Sequence, residues 1–155
     1  MTPTTLIVLA VVPHEGRYLI VEERDGTFYL PAGRVEPGED LLTAVIREAA
    51  EEAGTRIGIT SMLGFDHDAV TEPVPHVRLR FCFVGYPVVH GAPLKQQADR
   101  HSRGARWATL AEIRGLPLRH PEVLRWIARY EAGGARLSTR DYGWFGPRIY
   151  TPRED

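Results

Sequence analysis

Apolar and polar residues along this chain follow two different periods, one typical of strands and one typical of helices. The clearest alternation falls in 77–89, where Val77, Leu79, Phe81 and Phe83 share one face. Strand-like runs lie at 4–13, 17–24, 57–70, 77–89 and 105–110. Apolar residues at helical spacing occur in 39–53 and again in 120–133. Because strands outnumber helices, the pattern predicts an α/β domain with helices packed on a mixed sheet.

Polar segments rich in proline and glycine separate these elements. The stretch "HEG" at 14–16 fits a tight hairpin connection, and "GTFYLPAGRVEPGE" at 26–39 predicts a loop. A second polar loop, "HGAPLKQQADRHSRG", covers 90–104. The last residues are rich in aromatics and arginine but show no period. The expected organisation is therefore a domain over 1–132 and a tail at 133–155.

Size and composition favour a globular protein of the cytoplasm. The 155 residues fit a single domain. The net charge of −1 offers no general attraction for RNA or for an anionic membrane. Cys82 is the single cysteine, so no disulfide can form within the chain. The apolar run at 6–12 lacks a basic flank and is too short to cross a bilayer, so we expect no membrane partner.

The predicted helix at 39–53 carries acidic residues on one side. Glu48, Glu51 and Glu52 are three and four residues apart, so their carboxylates fall together beside the apolar face. Carboxylates this close raise one another's pKa values unless a cation offsets their repulsion, and Arg47 is within reach of Glu51. A cluster of hard oxygen ligands suits Mg²⁺ or Mn²⁺. The simpler alternative is a solvated acidic face, which is what most charge runs are.

The wider pattern around this helix favours the metal site. The frame G-x5-E-x7-R-E-U-x-E-E-x-G-U, in which U is apolar, is matched by Gly33, Glu39, Arg47, Glu48, Glu51, Glu52 and Gly54. The probability that seven fixed residues agree by chance is on the order of 10⁻⁸ at each starting position. The frame resembles the Nudix box of the Nudix hydrolases, and Thr55 is its one departure. The resemblance covers 5–132 and implies an α/β/α sandwich with a mixed sheet that hydrolyses nucleoside diphosphates linked to another group.

The same resemblance implies roles for individual residues. It implies that the metal ligands are the main-chain carbonyl of Ala32 and the carboxylates of Glu48, Glu51 and Glu52. Glu39 is expected to pair with Arg47 and so to fix the loop to the helix. The expected reaction is attack on phosphorus by a metal-activated water, with Glu48 as the general base.

Residues that select the substrate are expected outside the box. The layout resembles small bacterial Nudix phosphatases that act on nucleoside tri- and diphosphates and on hydroxymethylpyrimidine diphosphate. Arg80 stands on a strand otherwise rich in core residues, and its guanidinium can grip phosphate oxygens. Arg34 either adds a phosphate contact or faces water. Phe28 or Tyr29 is expected to stack on a base.

The 90–104 loop and the tail offer weaker signals. Asp99 is a candidate for a further metal ligand, in a loop that has no glutamate. Four histidines show no ligand spacing and are expected to be ordinary loop residues: His67, His76, His90 and His101. The tail would either close over the site or cover the partner subunit of a homodimer through its aromatic residues Tyr142, Trp144 and Phe145.

Three functions remain open at this point. The first is metal-dependent cleavage of the pyrophosphate linkage in nucleoside tri- or diphosphates or pyrimidine diphosphates, which makes a small phosphorylated substrate the partner. The second is the same chemistry on ADP-ribose, a dinucleoside polyphosphate or an RNA 5′ end. The third is a module that senses nucleotides without cleaving them. A sensor would not need Arg47 and all three glutamates, so an enzyme is favoured.

Overall fold

A computed structural model describes residues 2–133 and 136–138 of the chain. Its strands are β1 (Thr4–Val11), β2 (Pro13–His14), β3 (Arg17–Glu22), β4 (Phe28–Tyr29), β5 (Ala32–Arg34), β6 (Ile57–Val70), β7 (His76–Pro87), β8 (Gly104–Ala108) and β9 (Leu137–Ser138). Its helices are α1 (Leu41–Ala53), α2 (Leu110–Arg114) and α3 (Glu122–Glu131). The tail aromatics Tyr142, Trp144 and Phe145 lie outside the described residues.

Two sheets form the middle of the fold. The first has the strand order β5-β1-β7-β6-β9, in which β1 runs parallel to β7 and the other neighbours pair antiparallel. In the second sheet, β3 pairs antiparallel with β2, β4 and β8. The parallel pair makes the first sheet mixed, which confirms the prediction of a mixed sheet.

Alternate residues of the strands point into two separate apolar cores. Leu9 and Cys82 belong to the core that also contains Val123 and Ile127 of α3. Their strand neighbours Val8 and Phe83 belong to the other core, which contains the buried residues of α1. Both faces of the strands are therefore covered by helices, and the predicted α/β/α sandwich is confirmed.

Helix α1 is fixed at both ends by features of its own sequence. Asp40 is its N-cap, and one carboxylate oxygen accepts a hydrogen bond from the Thr43 amide at 2.8 Å. Gly54 ends the helix in the left-handed conformation, with φ of 67°, and its N–H donates to the carbonyl of Ala50. The helix begins at Leu41 rather than at the predicted residue 39, because Asp40 is outside it as a cap.

The segment 26–39, predicted as a loop, contains two short strands. Strand β4 pairs with β3, and β5 pairs with β1 on the edge of the first sheet. Each has only two or three residues and stands close to proline and glycine, so no alternation was visible in the sequence. The consequence is structural, because β5 holds Ala32, Gly33 and Arg34 in register with β1 beside α1.

The longer elements agree with the sequence pattern. Strand β6 covers the predicted 57–70, and β7 covers 76–87 against the predicted 77–89. Helix α3 covers 122–131 within the predicted 120–133. Among the helices of the described part of the chain, none has the length and apolar character needed to cross a membrane.

Candidate active site

Arg47 is the centre of a network of carboxylates on the exposed side of α1. Its Nε and Nη2 donate to the two carboxylate oxygens of Glu39 at 2.7 and 2.9 Å, so the ion pair expected between these residues is present. Its Nη1 donates to Glu48 at 2.8 Å and to Glu51 at 3.1 Å. Nη2 also donates to the carbonyl of Arg34 at 3.0 Å. One guanidinium therefore ties the 34–39 loop to α1 and offsets the repulsion between the helix carboxylates.

This network has clear electrostatic consequences. The hydrogen bonds from Arg47 hold the pKa of Glu39 below its usual value. The hydrogen bonds that Arg47 donates to Glu39, and next to Glu48, raise the pKa of Arg47 further, so the guanidinium stays charged. Burial raises the pKa of Glu48, although the hydrogen bond from Arg47 opposes that effect. The acidic helix face thus contains its own cation, rather than relying only on a bound one.

Gly33 allows β5 to pass directly over the carboxyl group of Glu48. A Cβ atom at position 33 would lie 2.1 Å from the Glu48 carboxyl carbon and 2.1 Å from one of its oxygens. Such a distance is a severe clash, so only glycine fits while Glu48 keeps this position. The glycine of the box is therefore required by close approach between the strand and the helix carboxylate.

Glu52 is the most buried of the three helix carboxylates, with 6% of its surface exposed. One of its oxygens accepts a hydrogen bond from the main-chain N–H of Ala32 at 2.8 Å. Burial, and to a smaller extent the nearby charges of Glu23 and Glu48, raise the pKa of Glu52 to about 9. A carboxylate buried in this way is stabilised by any cation that approaches it.

The side chains in this region fit a hard divalent cation by their chemistry. Glu48, Glu51 and Glu52 offer only oxygen ligands, which Mg²⁺ and Mn²⁺ prefer. Within residues 2–133 and 136–138, however, no three acidic, histidine or cysteine side chains converge as a finished metal site. Arg47 contacts Glu48 and Glu51, and Glu52 is bonded to Ala32.

The 90–104 loop is fastened to the end of α1. Lys95 donates from its Nζ to the carbonyl of Glu51 at 3.0 Å, and the Ser102 hydroxyl donates to the carbonyl of Glu52 at 2.6 Å. The Asp99 carboxylate, considered from sequence as a metal ligand, instead accepts from Lys95 and from the His101 amide. These hydrogen bonds lower the pKa of Asp99 to about 2, and the bond from Lys95 has the largest effect. Asp99 therefore braces the loop.

This bracing brings His101 to the acidic face. Its Nδ1 lies 3.5 Å from a carboxylate oxygen of Glu51. The spacing of histidines gave no reason to place His101 there, because it is 50 residues away from Glu51 in the chain. The long-range contacts of Lys95 and Ser102 with α1 help to position it, and no local motif could have revealed them.

A cavity of about 490 Å³ opens along β5, the edge strand that contacts α1. Its lining includes all three residues of β5 and, from the rest of the chain, Tyr29, His76, Arg78, Arg80, Arg119, His120 and Glu122. In the sheet register, Ile7 is paired with Arg34 on one side and with Arg80 on the other, and Arg80 is paired with Asp66. These four residues form a row across β5, β1, β7 and β6, which we call the cavity row. Arg34 and Arg80 of that row line the cavity together with Arg78 and Arg119, so the cavity is basic.

Arg34 and Arg80 differ in how they are held. Arg80 donates from Nε to Asp66 at 2.7 Å, and 18% of its side chain is exposed. Arg34 is exposed, and its guanidinium makes no ion pair with any carboxylate of the described residues. Both line the cavity, so the structure brings both predicted arginines to one place.

The two aromatic residues proposed from sequence separate in the structure. Tyr29 lines the cavity, and its hydroxyl donates to Glu122. The guanidinium of Arg119 lies 5.2 Å from the centre of the Tyr29 ring. Both residues are buried in the same core, but Phe28, whose ring is covered by Arg106 at 4.6 Å, does not line the cavity. Tyr29 is therefore the aromatic residue of the pair that a substrate in the cavity can contact.

Comparison with known proteins gives a consistent result. Residues 1–127 match the family profile described as the NUDIX domain. The chain is 32% identical over 126 residues to 8-oxo-dGDP phosphatase NUDT18 of Mus musculus, an alignment that covers 78% of this chain and 37% of that protein. The chain thus spans little more than a third of the length of that relative.

Two further proteins match over more of their own length. The ADP-ribose pyrophosphatase of Methanocaldococcus jannaschii is 28% identical over 127 residues, covering 79% of this chain and 72% of that protein. The solved structure of a NUDIX hydrolase from Nitrosomonas europaea superposes with a TM-score of 0.76 and 30% identity. That superposition covers 92% of this chain and 97% of the other.

Proposed function

Because the chain belongs to the Nudix hydrolase family, we propose that it cleaves the pyrophosphate linkage of nucleoside tri- or diphosphates or of pyrimidine diphosphates. The observation that carries this proposal is the position of β5. Its residues line the basic cavity and also contact Glu48 and Glu52 of α1. A phosphorylated molecule in the cavity would therefore contact the same strand that contacts the carboxylates.

The proposed cofactor is Mg²⁺ or Mn²⁺. Glu48, Glu51 and Glu52 would hold it, with the carbonyl of Ala32 as a further ligand. When bound, such a cation neutralises phosphate oxygens and lowers the pKa of water. The chemistry of the ligand set supports this role, since all these groups offer oxygen.

The protein's own residues would perform the remaining tasks. In the proposed reaction, a water oxygen attacks phosphorus, the bond to the bridging oxygen breaks, and the Glu48 carboxylate takes the proton of the water. The Glu48 carboxylate is held against Gly33 of β5, the strand that lines the cavity, which supports its role as the general base. Arg47, fixed by Glu39, holds one oxygen of Glu48 and so orients the carboxylate.

Arg34 and Arg80 are proposed to bind phosphate oxygens. Both guanidinium groups line the cavity, and Arg34 has no ion pair of its own within the described part of the chain. Paired hydrogen bonds from guanidinium to phosphate are strong and directional. Tyr29 supplies an aromatic ring for the rest of the substrate.

The similarity to NUDT18 supports a nucleoside diphosphate as substrate, since that protein is named an 8-oxo-dGDP phosphatase. The relative from M. jannaschii, named an ADP-ribose pyrophosphatase, supports ADP-ribose as the second candidate. A product assay over a substrate panel with Mg²⁺ tests the proposal. We expect orthophosphate from nucleoside diphosphates, whereas AMP from ADP-ribose would favour the second candidate. If no member of the panel is cleaved but nucleotides bind tightly, the proposal fails and a sensor remains.

Replacing Gly33 with alanine is expected to lower kcat about 10- to 100-fold while the protein stays folded. The new Cβ would displace the Glu48 carboxyl, but that group is the far end of a flexible side chain, so the backbone need not move. Turnover measured beside thermal unfolding checks this result. Gly38→Ala is not a suitable control because its φ of 81° would add strain, whereas Ala50→Ser on the exposed side of α1 is suitable. Full activity of Gly33→Ala would contradict the role of Glu48.

A further inference from the structure

Arg119 is an exposed arginine of the cavity wall to which the proposed reaction gives no role. Its side chain is 61% exposed, and its guanidinium lies over the ring of Tyr29. Its main chain is fixed, because the N–H of Arg119 donates to the carbonyl of Phe28 and the N–H of Phe28 donates to the carbonyl of Pro117, both at 2.9 Å. The backbone of 117–119 is thus tied to β4, whereas the long side chain can change its partner.

The carboxylate that Arg119 contacts is that of Glu23, directly after β3. Nη1 of Arg119 donates to Glu23 at 3.4 Å, which is longer than the usual range of about 2.7–3.2 Å. Arg80 of the same cavity is held more tightly, since it donates to Asp66 at 2.7 Å. A long ion pair with an exposed arginine is weak, so a stronger anion can take Arg119 from Glu23.

Glu23 brings this guanidinium towards the carboxylates of α1. Burial raises the pKa of Glu52, the charge of Glu23 adds to that rise, and the charge of Arg119 opposes it, so both side chains are within electrostatic reach of Glu52. On its other side, Arg119 contacts Tyr29, which lines the cavity. Arg119 therefore stands between the proposed substrate cavity and the buried end of the carboxylate cluster.

The chemistry of Arg119 restricts what can displace Glu23. A guanidinium offers only donors and a permanent positive charge, so its ligand must be an anion with acceptor oxygens. A phosphoryl group fits, because it carries more charge than a carboxylate and accepts paired hydrogen bonds from arginine. The diphosphate is also the part of the substrate that must extend from the cavity to the carboxylates of α1.

We propose that Arg119 exchanges Glu23 for the diphosphate of the substrate and so holds the linkage between the cavity and α1. Glu23 is then a positioning residue, which keeps the guanidinium near α1 until the substrate arrives. This inference rests on the proposed function, since it assumes a substrate that contains a diphosphate. It adds to Arg34 and Arg80 a phosphate ligand whose side chain changes partner on binding.

The test measures the binding of the α,β-methylene analogues of ADP and GDP, whose P–C–P linkage resists hydrolysis, by titration calorimetry in Mg²⁺. Arg119→Ala is expected to weaken binding of the tighter analogue about 10- to 100-fold. Arg119→Lys keeps the charge but loses the planar fork, so its affinity should lie between the two. Arg114→Ala, at an exposed position of α2, is the matched control and should bind as the unaltered protein does. Thermal unfolding, measured beside each titration, should not differ between Arg119→Ala and Arg114→Ala.

Replacing Glu23 with glutamine separates an exchange of partners from simple repulsion. Glutamine removes the charge that competes with phosphate for Arg119, so Glu23→Gln is expected to bind the analogue about two- to fivefold more tightly. If Arg119 changes partner, this gain should disappear in Glu23→Gln/Arg119→Ala, because no guanidinium is left to be released. An equal gain with and without Arg119 would show that Glu23 only repels phosphate, and would overturn the exchange.

The remaining outcomes also decide the matter. The inference is overturned if Arg119→Ala loses no more affinity than Arg114→Ala, or if the unaltered protein binds neither analogue. The hydrolysis panel decides the proposed reaction separately. Weaker binding in Arg119→Ala without hydrolysis of any substrate would leave the role of Arg119 standing while the proposed reaction failed. Hydrolysis by the unaltered protein together with unchanged affinity in Arg119→Ala would have the reverse meaning.

Discussion

Replacing Glu52 with glutamine is expected to lower Mg²⁺-dependent kcat by about a thousandfold, the upper end of what removing one charge-stabilising group costs. Glutamine has nearly the same shape and keeps an oxygen for the Ala32 N–H, so the contact between β5 and α1 can survive. What it removes is the negative charge that attracts a divalent cation. Steady-state turnover at saturating Mg²⁺ measures the effect.

The stability of the same variant in the absence of metal should not fall with its activity. Burial penalises the charged form of Glu52, so in EDTA we expect glutamine not to lower the free energy of unfolding. Mg²⁺ at 100 times its dissociation constant should stabilise the unaltered protein by about 2.7 kcal/mol, and this gain should be lost in the variant. Glu112→Gln on the surface of α2 is the matched control. Full Mg²⁺-dependent activity in Glu52→Gln would refute the metal-binding role.

Replacing Arg47 with alanine is expected to lower the free energy of unfolding by about 3 kcal/mol in the absence of metal. The side chain of Arg47 is 21% exposed, and its guanidinium bonds to Glu39, Glu48 and Glu51. Without it, Glu39 and Glu48 remain mostly buried with no cation to balance their charges. Urea denaturation in EDTA measures the loss, and Mg²⁺ should restore part of it by replacing the missing positive charge.

Two comparisons make this second result specific. Arg47→Lys keeps the charge but loses the planar fork that binds Glu39 through two atoms, so its stability should fall between alanine and arginine. Arg114→Ala at an exposed position of α2 should change stability by no more than about 0.5 kcal/mol. If Arg47→Ala and Arg114→Ala lose equal stability, or if Mg²⁺ restores nothing, the network around Arg47 does not have the role assigned to it.

Features that depend on neighbouring positions in the chain could be predicted well. The apolar spacing of α1, its glycine stop and the carboxylates three and four residues apart all follow from helix geometry. The alternation in 77–89 likewise placed Arg80 opposite Phe81 and Phe83, and the structure has it on the cavity side of β7. The local period was sufficient in these cases, because one helix or strand determines the arrangement.

Features that depend on contacts between distant segments could not be predicted in the same way. His101 reaches Glu51 in a loop that Lys95 and Ser102 fasten to the end of α1. Strand β4 has two residues, too few for a period to show which of its aromatic rings faces the cavity. Glu122 gave no signal in sequence, since a glutamate at the start of a helix is common and only the folded structure places it in the cavity wall.

The cavity row has a consequence for how such an enzyme can diversify. Arg80 and Asp66 of that row stand on β7 and β6, whereas the carboxylates of the proposed reaction stand on α1. The two sets belong to different elements and meet at β5, so exchanges in the row leave the packing of α1 intact. A mutation in the row can thus change one side chain of the cavity while the carboxylates on α1 stay in place.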